Sequence, residues 1–330
     1  MSFSSELRQE LCRRIDRAVH CRIAMLAGII ALDGKLKDLD GELCLSIRME
    51  KDEVVETAEK LFLILFGIGL DSLEVVPRSQ EGARVRIRDK AQLERIFETC
   101  KLSVVGEPDD TDASGSQNPA GRSRLPKLRP GMDARLDVDD IVLSRGCCRT
   151  AYLRGAFLAA GSVSDPNTQY QLEIVTDRDA VTRQILTALS GYGVEGHVTE
   201  RRYSQVVYIK DADGISETLG QMGAAGAMME FENVRIVKGI RNHVNREVNC
   251  DTANIAKIAN AAVNQIEDIR RIDEAVGLGS LPAGLEELAR LRLENPDLSL
   301  KELGERMDPP LGKSGVNHRL RKISEIAGQY

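Results

Sequence analysis

Two stretches of this 330-residue chain repeat one another in order and spacing, and no other feature narrows the fold so far. Residues 26–34 (LAGIIALDG) correspond to residues 153–161 (LRGAFLAAG). An alternating segment follows each, with Leu43, Leu45, Ile47 and Met49 in the first copy and Leu172, Ile174 and Thr176 in the second. Alternation of this kind predicts strands with one buried face. Charged helix starts come next, at Lys51-Asp52-Glu53 and at Arg178-Asp179, and both helices close on paired glycines, Gly67 with Gly69 and Gly191 with Gly193. The copies then share a strand ending, Val85-Arg86-Ile87-Arg88-Asp89 against Val207-Tyr208-Ile209-Lys210-Asp211, and a last helix. Each block reads helix, two strands, helix, two strands, helix. That is an α+β unit with its helices on one face of an antiparallel sheet.

Small residues at Ala27, Gly28 and Ala31 let a second backbone approach the first helix, and Gly155 does the same in the second. Two such helices can pack together about a pseudo-twofold axis. Gly34 and Gly161 suit a helix C-terminus at positive φ. Residues 26–34 resemble the LAGLIDADG motif of homing endonucleases, and residues 153–161 resemble it more loosely. The resemblance implies that the two helices form the repeat interface and that the two sheets form a saddle over the DNA major groove. It also implies an acid at the penultimate motif position of each copy, where divalent metal is held. The first copy has Asp33 and the second has Ala160. Two-metal cleavage needs both attacking and leaving oxygens neutralised, so the expectation is a body without catalytic residues and without a metal. A residual Mg²⁺-dependent endonuclease is the alternative.

Three blocks and two joins follow from composition. Residues 1–106 hold the first repeat and residues 132–245 the second. Residues 107–131 are rich in Pro, Gly, Ser and Asp with little to bury, which predicts a flexible linker. Residues 246–282 form a connector, helical from about 251 to 276, with Ile255, Ile258, Ala262, Ile266 and Ile269 on one side, expected to pack on the doubled body. The break at residues 277–282 (GLGSLP) sets off residues 283–330.

The formal net charge of −6 excludes a uniformly basic coat, so any nucleic-acid contact must come from local basic patches. Aromatics make 4% of the chain and Trp is absent, which weighs against a single-strand binder built on stacking platforms. Seven scattered cysteines without a C-x-x-C pair read as reduced thiols of a cytoplasmic protein, with no zinc pattern visible and no cofactor implied. Cys147-Cys148 precedes a helix and could be redox-sensitive, although small half-buried side chains explain the pair as well. The N-terminus lacks the apolar core of a signal peptide, and residues 61–70 are too short to span a bilayer.

The last block carries the stronger DNA signal. Leu285, Leu288, Ala289 and Leu291 share a helical face that ends at Asn295-Pro296. Ser299 with Glu302 makes a capping box for a short helix. After the turn at residues 308–312 (DPPLG), Ser314 is expected to cap a final helix reaching about Ala327. Val316, Leu320, Ile323 and Ala327 recur at core spacing on it. Lys313, Asn317, His318, Arg319, Arg321 and Lys322 are left outside, as in the recognition helix of a helix-turn-helix. Asn317 and Arg319 could read base edges, while Lys313, Arg321 and Lys322 suit phosphates. A second DNA face is expected on strands carrying Arg84, Arg86 and Arg88, with Arg201 and Arg202 in the other copy. A solvated sheet face is the plainer account of those arginines, because charged residues are the default exterior.

Residues 147–149 leading into 152–158, then 248–254 (VNCDTAN), 265–269 (QIEDI) and 313–323 (KSGVNHRLRKI), resemble the WhiA family over nearly the whole chain. That resemblance implies a nucleoid-associated transcription regulator of sporulation septation, or of cell division and chromosome segregation, acting on double-stranded promoter DNA and without nuclease activity. It implies a WhiB-type iron–sulfur regulator or RNA polymerase as partner, and no membrane. A division-associated interaction scaffold is the remaining alternative.

Overall fold

A computed structural model describes residues 2–39, 41–69, 73–77, 82–105, 125, 128 and 131–330. The chain divides into two compact units, residues 1–237 and 238–330.

In the first unit, helix α1 (Phe3–Cys12) precedes two copies of one plan. The first copy runs α2 (Val19–Asp33), β1 (Gly34–Leu39), β2 (Glu42–Met49), α3 (Asp52–Phe66), β3 (Glu74–Pro77), β4 (Ala83–Ile87) and α4 (Lys90–Cys100). The second runs α5 (Gly146–Ala160), β7 (Gly161–Val163), β8 (Leu172–Thr176), α6 (Asp179–Ser190), β9 (His197–Arg201), β10 (Ser204–Ile209) and α7 (Ala212–Met222). The element order is that of the repeat in the sequence. Between the copies lie β5 (Leu102–Val104) and β6 (Asp133–Val138), which extend the first copy's sheet to the order β3-β4-β2-β1-β6-β5. Although β6 falls in the second sequence block, it pairs antiparallel with β1 and β5. The second sheet has the order β7-β8-β10-β9.

Helices α2 and α5 cross at the centre of this unit. A Cβ on Gly28 would lie 2.5 Å from the Tyr152 carbonyl oxygen, and one on Gly155 would overlap the Met25 carbonyl oxygen more severely. The two glycines therefore set the backbone separation reciprocally. Around the crossing Leu26, Ile29, Ile30, Leu153 and Phe157 are all fully buried, each side chain contributing about 1.5–3 kcal/mol before conformational entropy is counted. Against the expectation of positive φ, Gly34 and Gly161 lie at φ −85° and −88° in extended backbone. Space is the constraint there. A Cβ would strike the Ile30 carbonyl oxygen at 2.5 Å or the Phe157 carbonyl oxygen at 2.6 Å. Both helices turn straight into a strand, leaving no room for a side chain.

Most of residues 107–131 lie outside the described residues. Leu125, however, is buried in the main core and Leu128 packs against it, so a stretch expected to have little to bury supplies two anchors.

The connector differs more. Instead of beginning near residue 251, one helix, α8, spans Ala225–Val276. Ala227 and Phe231 belong to the first core, and Ile269 and Ile272 to the second. Ile255 and Ile258, expected to pack on the doubled body, are exposed, at 66% and 61%. A stripe at helical spacing marks only a preference for burial, and here only its later members, Ala262 and Ile269, are buried.

The second unit continues from α8 through Gly277, at φ 78°, and a 3-10 turn, Leu278–Ser280, into α9 (Ala283–Glu294), α10 (Leu300–Glu305) and α11 (Lys313–Ala327). Its core joins Leu285, Leu288, Leu303, Met307, Val316, Leu320 and Ile323.

Candidate nucleic-acid interface

Three local features hold α11 in place. The Ser299 hydroxyl accepts from the Glu302 amide at 3.3 Å, while the Ser299 amide donates to Glu302 Oε2 at 2.8 Å, closing the capping box on α10. Hydrogen bonding to the carboxylate itself, from the Ser299 side chain and then its backbone, holds Glu302 below its ordinary range. Ser299 is thereby occupied as a cap. Next, the Leu311 amide donates to the Gly304 carbonyl oxygen at 2.9 Å. A Cβ on Gly304 would overlap the Leu311 carbonyl, so the turn after α10 folds back only because this residue is glycine. Third, Arg292 is 2% exposed, donating to Gln265 Oε1 at 3.0 and 2.9 Å and to the Leu298 carbonyl at 2.6 Å. Its burial pushes its pKa down. One guanidinium thus ties α8 to the loop before α10. Nothing in the sequence separates Arg292 from the exposed arginines around it, because an arginine one helical position away would face solvent.

The cap of α11 is a correction. Gly312 is the N-cap, without a side-chain cap hydrogen bond, and the helix begins at Lys313. Ser314 sits in the first helical turn and is exposed. Extended backbone at Gly312, φ −71° and ψ 158°, starts the helix two residues before the hydroxyl that looked like its cap.

On α11, Val316, Leu320, Ile323 and Ala327 are buried, while Lys313, Ser314, Asn317, His318, Arg321 and Lys322 are exposed. These six recur at three- and four-residue spacing and so share one side of the helix. Among the described residues Lys313, Arg321 and Lys322 have no ion-pair partner, so the cations stand ready for an anionic partner. Arg319 departs from that face. Half-buried, it donates from Nη1 to the Gly284 carbonyl oxygen at 3.0 Å. It fixes α11 against α9 instead of pointing outward as a base reader. Beside it lies a groove of about 520 Å³ lined in part by Pro282, Leu285, His318 and Lys322.

The sheet arginines of the first unit are engaged differently. Cross-strand pairing places Arg84 opposite Arg48 and Arg86 opposite Ser46. Glu74 accepts from Arg86 Nη1 at 2.9 Å and from Arg88 Nε at 3.2 Å. Desolvation is the largest single influence on Glu74 and would raise it, but the combined bonds from Arg88 and Arg86 hold it below the ordinary carboxylate range. Arg48 meets Glu50 at 3.1 Å, Lys37 meets Asp133 at 2.5 Å, and Arg201 meets Glu173 at 3.5 Å. Arg202 sits at the tip of the β9–β10 hairpin at φ 54°. A groove of about 630 Å³ opens over this face, with Asp33, Lys35, Ser46 and Arg84 in its lining. Asp33 ends α2 there, while Ala160 ends α5, so only one carboxylate stands at the two motif ends.

The doubled body and the three-helix end define a two-part class: a LAGLIDADG-like domain followed by a helix-turn-helix domain. The family models agree, the WhiA LAGLIDADG-like domain matching residues 149–241 and the WhiA C-terminal HTH domain matching residues 244–327. The chain belongs to the WhiA family. It is 41% identical to the "Probable cell division protein WhiA" of Lachnospira eligens, over 100% of this chain and 97% of the relative. It is likewise 41% identical to the protein of that name from Alkaliphilus oremlandii, over 99% and 97%. Among solved structures it is similar to full-length DUF199/WhiA from Thermatoga maritima, with TM-score 0.55 and 23% identity, covering 100% of this chain and 99% of that one. That last likeness supports the fold alone. No described helix is long and apolar enough to cross a membrane.

Proposed function

We propose that the protein is a sequence-specific regulator of transcription that binds duplex promoter DNA through α11 and does not cut it. One observation carries the reading: the core face of α11 is buried, and its other face holds Lys313, Arg321 and Lys322, without ion partners among the described residues, beside the exposed amide of Asn317. A helix so placed enters the major groove with its N-terminal half toward the bases. Asn317 then suits adenine, and Lys313, Arg321 and Lys322 suit phosphate oxygens. The name carried by the relatives supports a role in cell division, and the finer assignment is control of division, chromosome segregation or sporulation septation from the cytoplasm, at the nucleoid. A WhiB-type regulator or RNA polymerase belongs to this proposal as partner.

Paired sheet cations make the first unit a weaker contact, in which Arg84 is better placed than Arg86, Arg88 or Arg201. Ala160 argues against two-metal cleavage. The test is fluorescence anisotropy on promoter duplexes with a Mg²⁺ cleavage assay beside it. Binding should be salt-sensitive and lost on Arg321→Ala with Lys322→Ala. Cut product that disappears in Asp33→Ala would replace this reading by the nuclease. The exposed Ile255 and Ile258 on α8 favour the scaffold as a second reading, which gains if no genomic duplex is bound at low salt while a division partner is retained.

A further inference from the structure

We infer that His20, Cys21, Cys147 and Cys148 form a zinc site that staples the two repeats at the head of their shared interface. None of the four lies in a C-x-x-C pair, so linear spacing hides them. The fold assembles them. His20 and Cys21 occupy the first turn of α2, and Cys147 and Cys148 the first turn of α5, inside that helix and not before it. Their positions are equivalent under the repeat: each pair stands eight and seven residues ahead of its motif glycine, Gly28 or Gly155. The crossing of α2 and α5 at those glycines therefore brings the pairs face to face.

The geometry suits a tetrahedral ion. One ligand atom from each of the four lies within 4.8 Å of all the others. His20 Nδ1 is 3.3 Å from Cys148 Sγ, 3.3 Å from Cys21 Sγ and 3.9 Å from Cys147 Sγ. Zinc bonds of about 2.0–2.3 Å to nitrogen and sulfur give a tetrahedral edge of about 3.5 Å, which those three separations bracket. Soft thiolates with one imidazole select zinc over hard cations. Cys21 and Cys148 are buried, while Cys147 is exposed and leaves a path for entry. Neither helix has a side-chain N-cap bond, and the dipoles of both favour negative charge at this end. On binding, the three thiols give their protons to solvent, and the complex carries a single net negative charge.

The experiment is metal analysis of the full chain, purified without chelator, with cobalt(II) as a spectroscopic probe. We expect zinc at about one per chain, sulfur-to-cobalt charge-transfer bands after exchange, and a lower unfolding temperature with chelator. Cys147→Ser, at an exposed position, should remove the zinc while circular dichroism stays unchanged; Cys148→Ser should do the same but loosen the interface. His20→Cys should keep the metal, and Cys250→Ser, remote from the cluster, should not alter it. Absence of zinc and of cobalt bands in the unmodified chain overturns the inference. So does zinc that survives Cys147→Ser, or stoichiometric iron and sulfide in anaerobically prepared protein.

Discussion

Gly28 and Gly155 show how far a single atom decides this molecule. Each faces the other helix's backbone, so even alanine must push α2 and α5 apart. Overpacking of this kind typically costs about 1–3 kcal/mol and more when backbone has to move. Gly155→Val should therefore lower the unfolding free energy of the first unit by at least that amount, read from denaturant titration, while Gly69→Val, in open space, should not. Arg292 makes the complementary point. Its truncation leaves Gln265 Oε1 and the Leu298 carbonyl without their donor, so Arg292→Ala should destabilise the second unit by roughly 1–3 kcal/mol, the cost of leaving a buried acceptor unsatisfied, measured by thermal unfolding. The motif glycines were legible because a repeated small residue has few other uses. Arg292 was not, since burial of an arginine depends on where carbonyls from distant segments converge. For Gly34 and Gly161 the residue type was legible and the reason was not: crowding by the preceding turn stands where left-handed backbone was expected.

Among the elements, α10 and α11 matter most. Ser299→Ala removes the capping hydroxyl and should cost about 1 kcal/mol of stability. Glu302 has a lowered pKa in the folded chain, so its contribution is present above the unfolded value and is lost as pH falls through the lower folded one. Acid titration of unfolding should show that loss in the parent and a shallower loss in Ser299→Ala. On α11, Arg321→Ala and Lys322→Ala should each weaken binding to all sequences and reduce the salt slope by about one. Asn317→Ala should instead relax discrimination at one base pair, by about 1–3 kcal/mol. Arg319→Ala belongs with stability, because its guanidinium is bonded to Gly284. The buried stripe of α11 was readable from period alone. Its first residue was not, because Gly312 and Ser314 both suit an N-cap and backbone torsions chose the glycine.

At the scale of the whole molecule, two sequence-level signals differ in reach. Repetition is global, and it predicted the element order of both copies even though their residues share little identity. The apolar side of the connector is local, and it could not say which of its turns would find a core. The four ligands of the proposed zinc site combine both lessons: they are invisible as a spacing motif but equivalent once the repeat is extended upstream of residues 26 and 153. In the proposed reading, recognition belongs to the helical second unit, and specificity resides in α11.

Genome-wide occupancy of the full chain, compared with the Arg321→Ala, Lys322→Ala double variant at matched abundance and matched circular dichroism, tests that directly. The account predicts discrete promoter peaks for the parent and their loss in the variant. Peaks that persist at the same promoters with the same strength would contradict it.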